Sequence, residues 1–225
     1  VNIPIILYNI PGRTGVKIAP ETVVELCKTV DNIVGVKDAT GDLSEVADVL
    51  SMAGGSVDLY SGNDDQIIPV LSLGGKGVIS VLSNILPQET HDMTAAFFAG
   101  DTKKAMDMQL GYLDLIHALF SEVNPIPVKK AMNLMGMEVG PLRMPLTEME
   151  EEHAKKLAEE MNVPLLGQIP IVQSICESGD KGTPAALDEN TITGRAFLSL
   201  AAAVVRQVDR RNVEQAPTQI VEMHK

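Results

Sequence analysis

Over the first 85 or so residues, short apolar runs alternate with amphipathic stretches, and turn-forming clusters separate them. Residues 3–8 (IPIILY) are apolar with β-branched content and are followed by Asn9, Pro11, Gly12 and Gly15. This predicts a strand of a parallel sheet, apolar throughout rather than alternating. Pro20 and Glu21 then open a helical stretch, as proline in a first turn beside an acid does. Residues 33–37 (IVGVK), 57–61 (VDLYS) and 77–81 (GVISV) predict three more strands. Leu43, Val46, Val49 and Leu50 are spaced for a helix over 43–53, and a further helix is expected over 64–73, closed by Gly74 and Gly75. The spacing is that of βα units, which build parallel sheets with right-handed crossovers. Four such units are half of an eight-stranded barrel.

Beyond residue 86 the period changes from strand to helix. Helices are expected over 87–98, 102–121, 126–136 and 147–161, with Met93, Met106, Met108, Met132, Met135, Met137 and His117 as packing residues between them;. Residues 163–225 change again: a strand and turn at 163–170, glycines and Pro184 over 179–184, and a long helix over about 191–211. Ala196, Leu200, Ala203 and Val204 lie on one face of that helix, and a polar tail of about twelve residues follows;.

Composition narrows the function. The 225 residues carry 18 Lys+Arg against 30 Asp+Glu, a net charge of −12 that falls almost wholly within residues 1–162. That balance, with 3% aromatic residues and no Trp, argues against a nucleic-acid surface;. Mean hydropathy is +0.11 and 45% of residues are hydrophobic, a globular composition;. No apolar run reaches membrane-spanning length. Cys27 and Cys176 are far apart and form no metal motif. With no leader pattern in view, a reducing cytoplasm is expected. No pair among His91, His117, His153 and His224 has metal-ligand spacing, and Glu150, Glu151 and Glu152 read as a solvated run;.

Candidate chemistry gathers at predicted strand ends. Tyr8 and Lys37 end the first two strands, on the side where a βα barrel places its active site. A lysine withdrawn from water behind IVGV is a candidate Schiff-base nucleophile, because desolvation favours the neutral amine; a surface lysine that merely ends its strand is the alternative. Tyr8 offers a phenolic proton for relay during imine formation, or only caps the core. Arg13, in the loop after Tyr8, suits a substrate carboxylate, or is a solvated loop residue. Gly62 and the GGKG at 74–77 fit no phosphate-loop pattern and read as turn formers whose backbone lines a site.

Five motifs come in order: YNIPGRTG at 8–15, VGVKDATG at 34–41, SGNDD at 61–65, GGKGVISV at 74–81 and NPIPVK at 124–129, with GPLRMPLT at 140–147 continuing the series. Together they resemble the dihydrodipicolinate synthase family, within the class I pyruvate aldolases, over about residues 1–160. The resemblance implies an α/β fold: the last four strands of a (β/α)8 TIM barrel with a C-terminal helical segment and a short appended α/β tail. It implies that Lys37 forms the Schiff base with pyruvate, and that the enamine attacks aspartate semialdehyde before the adduct cyclises. Tyr8 would match the proton-relay tyrosine and Arg13 the semialdehyde-carboxylate arginine, while Gly62 and Ile79 would line the pyruvate pocket. No cofactor or metal is implied, and a homo-oligomer is expected with the full barrel.

Two departures qualify the resemblance. The first half of the barrel has no match in this sequence, and with it the family's paired threonines, its second tyrosine and its lysine feedback site. Raw strand edges and weak or absent activity are therefore expected of the chain as given, and a catalytically silent fragment or chimera is the rival reading. The second departure is residues 157–211, which resemble the C-terminal end of Mrp-type P-loop ATPases, iron–sulfur carriers, without their phosphate loop or CxxC. The expected organisation is a half barrel over 1–85, a remaining barrel helix and helical domain over 86–161, and an appended tail over 162–225, joined near Leu157–Asn162.

Overall fold

The computed structural model describes residues 2–163, 166–167, 169, 172–180 and 182–214. The polar tail, and part of the strand and turn expected at 163–170, lie outside the described residues, as does the side chain of Cys176. The chain divides into two units, Val1–Met161 and Asn162–Lys225.

In the first unit, strands β1 (Ile5–Asn9), β2 (Ile33–Asp38), β3 (Asp58–Ser61) and β4 (Gly77–Val78) form one parallel sheet in the order β1-β2-β3-β4. A four-residue helix α1 (Pro11–Thr14) follows β1, and then α2 (Pro20–Thr29); α3 (Leu43–Ala53) links β2 to β3, and a 3₁₀ turn with α4 (Ile67–Ser72) links β3 to β4. Local chemistry sets these boundaries. Pro20 starts α2, the Asp42 carboxylate accepts the Ser44 N–H to cap α3, and Gly54 ends α3 at φ 56°;. Gly35 permits the close β2–β3 approach, since a Cβ there would stand 2.2 Å from the Asp58 carbonyl oxygen;.

One face of the sheet is sealed. Leu7, Val36 and Leu59, successive partners across β1–β3, pack with Val23, Val24, Val46, Val49 and Val70 of the surrounding helices. The strands are not buried on both faces as their apolar runs predict. Ile6, Tyr8 and Ile79 are all more than a third exposed, because no helix of this unit covers the opposite face. The expected strand at 77–81 shortens to Gly77–Val78, and the chain then leaves for a 3₁₀ turn at Leu82–Asn84.

The rest of the unit is helical: α5 (Pro87–Phe98), α6 (Thr102–Gly111), α7 (Leu113–Leu119), α8 (Ile126–Leu134) and α9 (Glu151–Glu160). The single helix expected over 102–121 breaks at Tyr112, directly after Gly111, a residue of low helix propensity;. Met93 is fully buried between α4, α5 and α6, with Met108 partly buried beside it, and Met132 packs against the cluster of α7, α8 and α9. Met106, Met135 and Met137 are exposed, and so is His117. Met106 and His117 lie on the outer sides of α6 and α7, where Leu115, Ile116, Ala118 and Leu119 take the inner face of α7, and Met135 and Met137 lie past the end of α8. Glu122 binds the ring of His153 at 2.8 Å and the Glu150 N–H at 2.9 Å, which docks α9.

The second unit contains α10 (Gln173–Asp180), a 3₁₀ turn at Ala185–Leu187 and α11 (Ile192–Glu214). Thr191 opens α11, its hydroxyl accepting the Gly194 N–H;. Thr193, Gly194, Ala196, Phe197, Leu200 and Ala203 make the inner side of α11, whereas Val204, expected on that face, is 40% exposed. No helix among the described residues is long and apolar enough to cross a membrane.

Candidate active site

Four of the candidate residues, Tyr8, Lys37, Gly62 and Ile79, meet at the C-terminal edge of the sheet. Side chains alternate faces along a strand. With Leu7, Val36 and Leu59 committed to the helix side, the next residues, Tyr8, Lys37 and Tyr60, stand on the uncovered face as successive partners, and Gly77 pairs with Tyr60 beyond them. Lys37 is half-buried. Its ammonium lies over the Tyr8 ring, 4.2 Å from the centroid, a contact of about 0.5–1 kcal/mol that aims the side chain. A Cβ on Gly62 would stand 3.1 Å from Lys37 Cε, 2.8 Å from the Asp38 carbonyl oxygen and 2.7 Å from Ala39 Cβ. The absence of that side chain is what lets the Gly62 backbone lie against the lysine.

One residue further along, the ladder returns to the helix side and is polar. Asn9, Asp38 and Ser61 are all buried, and each folds the loop that follows its own strand. The Asn9 amide donates to the Ile18 carbonyl and accepts the Ile18 N–H, both at 3.1 Å, closing the segment that contains α1 and Arg13. Asp38 Oδ1 accepts the Thr40 hydroxyl at 2.8 Å and the Thr40 N–H at 3.1 Å. The Ser61 hydroxyl donates to the Asn63 carbonyl at 2.8 Å. Backbone bonds link these loops: the Ala39 N–H donates to the Asn9 carbonyl, the Gly62 N–H to the Asp38 carbonyl at 2.6 Å, and the Ile79 N–H to the Ser61 carbonyl at 2.9 Å.

Burial holds the carboxyl of Asp38 above its ordinary range, opposed by the Thr40 hydroxyl and N–H and reinforced by Glu45 and Asp42. Asp64 is raised for the same first reason, opposed by the Ser80 hydroxyl and the Leu82 and Val81 N–H groups and reinforced by Asp65. Lys17, next to Ile18, pairs with Glu45, which ties the Arg13 loop to α3.

Packing and hydrogen bonds thus join Lys37, Tyr8, Gly62 and Ile79 in one cluster. Arg13 is exposed on α1 and stands outside that bonded cluster among the described residues. Sequence reading passed over Tyr60, Asn9, Ser61 and Asp64. For Asn9 and Ser61 the signal available was a polar residue ending an apolar strand just before its turn, where a buried loop needs an acceptor or donor of its own. Away from the sheet, Lys129 of NPIPVK donates to the Pro141 carbonyl at 2.8 Å, so that motif and GPLRMPLT pack together. The described residues contain no cluster of His, Cys, Asp and Glu able to hold a metal ion.

Residues 1–163 match the Dihydrodipicolinate synthetase family. A 4-hydroxy-tetrahydrodipicolinate synthase of Lachnoclostridium phytofermentans is 60% identical over 161 residues, covering 72% of this chain and 55% of that protein. One of Clostridium tetani is 54% identical over 162 residues, with the same coverage. Among solved structures, a dihydrodipicolinate synthase from Thermotoga maritima superposes with a TM-score of 0.70 at 37% identity, over 72% of this chain and 56% of that one. The chain spans about half the length of the curated relatives it matches.

Proposed function

The chain belongs to the dihydrodipicolinate synthetase family, and from that we propose that it carries the pyruvate-activating half of a 4-hydroxy-tetrahydrodipicolinate synthase, working in the cytoplasm for lysine and diaminopimelate biosynthesis. The sheet is read as the last four strands of a (β/α)8 barrel. Its uncovered face is read as the barrel's interior, and the homo-oligomer as a property of the full barrel.

In this reading the neutral Lys37 amine attacks the keto carbon of pyruvate. The carbinolamine loses water to give an imine, with Tyr8 passing protons to and from the reacting oxygen. Loss of a methyl proton gives the enamine, whose terminal carbon bonds to the aldehyde carbon of aspartate semialdehyde while the aldehyde oxygen takes up a proton. The adduct's own amine then displaces the Lys37 nitrogen and closes the ring. The Gly62 and Ile79 backbones line the keto acid, and Arg13 pairs with the semialdehyde carboxylate. No cofactor enters. The observation that carries the reading is the placing of Lys37 on the open sheet face, its ammonium on the Tyr8 ring and its Cε against Gly62.

A second reading, a catalytically silent fragment, is favoured by that same open face, where Ile6, Tyr8 and Ile79 meet solvent. Residues 162–225 are read as an appended tail, related to the end of the Mrp-type ATPases and joined near Leu157–Asn162. The end of the family match at residue 163 supports the position of that join. Incubation with pyruvate, borohydride reduction and mass spectrometric mapping separate the two readings. An adduct on Lys37 is expected. No adduct, with a full-length synthase labelling normally beside it, leaves the silent fragment.

A further inference from the structure

We infer that Asp64 is a positioning residue of the keto-acid pocket, its carboxylate clasping the loop after β4 to the turn after β3 and so setting how the Gly62 and Ile79 backbones face each other. The inference rests on the reading of Lys37 as the Schiff-base lysine.

The ladder cannot do this work unaided. Strand β4 is two residues long, Gly77–Val78, and its last bond to β3 is the Ile79 N–H to the Ser61 carbonyl at 2.9 Å. Past that point the Val81 and Leu82 N–H groups run out of strand partners, although Leu82 is fully buried. Asp64 Oδ2 accepts both, at 2.9 Å and 2.8 Å. Two backbone N–H groups on one carboxylate oxygen are charge-assisted bonds, stronger than those between neutral groups. The backbone of Asp64 is itself held through Gln109. Its carbonyl accepts the Gln109 side-chain amide of α6 at 2.9 Å, and the Gln109 oxygen accepts the Ile68 N–H at 3.2 Å. Asp64 is 1% exposed. It lies two residues after Gly62, and the N–H groups it takes begin two residues after Ile79. The clasp therefore closes the two turns around the pocket, and a shift of Asp64 moves one turn against the other.

A cap that only stabilises the 3₁₀ turn at Leu82–Asn84 would lower stability and leave ligand response alone. A positioning residue changes the dependence on pyruvate. The test is the yield of borohydride-trapped Lys37 adduct against pyruvate concentration, in the full 225-residue chain and its Asp64→Asn variant. Asp65→Asn, an exposed neighbour of the same charge, is the control. Asp64→Asn is expected to raise the half-saturating pyruvate concentration about tenfold, with full labelling still reached at high pyruvate and with Asp65→Asn unchanged. An Asp64→Asn curve that overlays the parent, a loss confined to Tm, or an equal shift in Asp65→Asn overturns the inference.

Should Asp64→Asn fail to fold, Asp64→Glu, which keeps the charge but lengthens the reach, takes its place in the titration with the same expected shift. Hydrogen exchange in the unaltered chain gives an independent reading. Val81 and Leu82 amides exchanging as fast as exposed loop amides would also overturn the clasp. A parent chain that forms no adduct at all removes the reading of Lys37, and this inference with it. A labelling parent beside an unshifted Asp64→Asn removes this inference alone.

Discussion

The Lys37 ammonium sits 4.2 Å from the centre of the Tyr8 ring because the two residues are direct partners on neighbouring parallel strands. Neither side chain has to search for the other. The register that pairs Leu7 with Val36 in the core puts Tyr8 beside Lys37 on the opposite face. The hydrophobic packing of one face thus aligns the chemistry of the other.

This pairing separates shape from reactivity. Lys37→Arg keeps a cation for the Tyr8 ring but cannot form an imine, so the pyruvate adduct is expected to vanish while Tm stays within a few degrees. Tyr8→Phe keeps the ring and removes the phenol. Trapped-adduct kinetics should then slow by about 10²-fold, the usual scale of general acid–base assistance. An unchanged rate in Tyr8→Phe would remove the phenol from the proposed relay.

Gly62 has no room for a side chain. A Cβ would press on Ala39 Cβ, the Asp38 carbonyl and Lys37 Cε, so Gly62→Ala is expected to cost about 1–3 kcal/mol by overpacking and to displace the lysine. Denaturant midpoint and adduct yield should fall together. A stable variant with full labelling would show that the lysine tolerates the shift.

Asn9 closes the Arg13 loop with two hydrogen bonds to Ile18. Asn9→Ala leaves both Ile18 groups without those partners, a cost of about 1–3 kcal/mol. Amides of residues 10–18 should exchange faster while those of β2 and β3 keep their protection. Uniform exchange changes across the sheet would instead point to a general loss of packing.

Asp38 gives a pH dependence of definite sign. Burial raises its carboxyl above the ordinary 3.8, so the folded chain holds that proton more tightly than the unfolded chain does. The contribution is complete below pH 3.8 and is lost as pH climbs through the raised value. Asp38→Asn keeps an oxygen for Thr40 and cannot ionise. Its stability relative to the parent should therefore rise with pH above 3.8, read from denaturant midpoints at several pH values. A constant difference would exclude burial of the charge as the cause.

The alternation of strand and helix was legible in the sequence because its signals are local. The helix over 43–53 has the ends that the spacing of Leu43, Val46, Val49 and Leu50 predicts, Leu43–Ala53, and its caps, Asp42 and Gly54, lie directly beside it. Lys37 and Tyr8 could be placed at strand ends by the same local reading, and five ordered motifs pointed to the family. What tertiary structure decided was the facing of those strands. IPIILY is apolar at every position, so nothing in it separates Leu7, packed under helices, from Ile6, which meets solvent. The outward turn of His117 depends likewise on which neighbours its helix meets. The buried polar residues Asn9, Asp38, Ser61 and Asp64 were the least legible, because a polar residue before a turn looks the same whether it faces water or a loop's backbone. Only the packing of helices over one face of the sheet removes the water, and each of those groups then takes a partner from the chain itself.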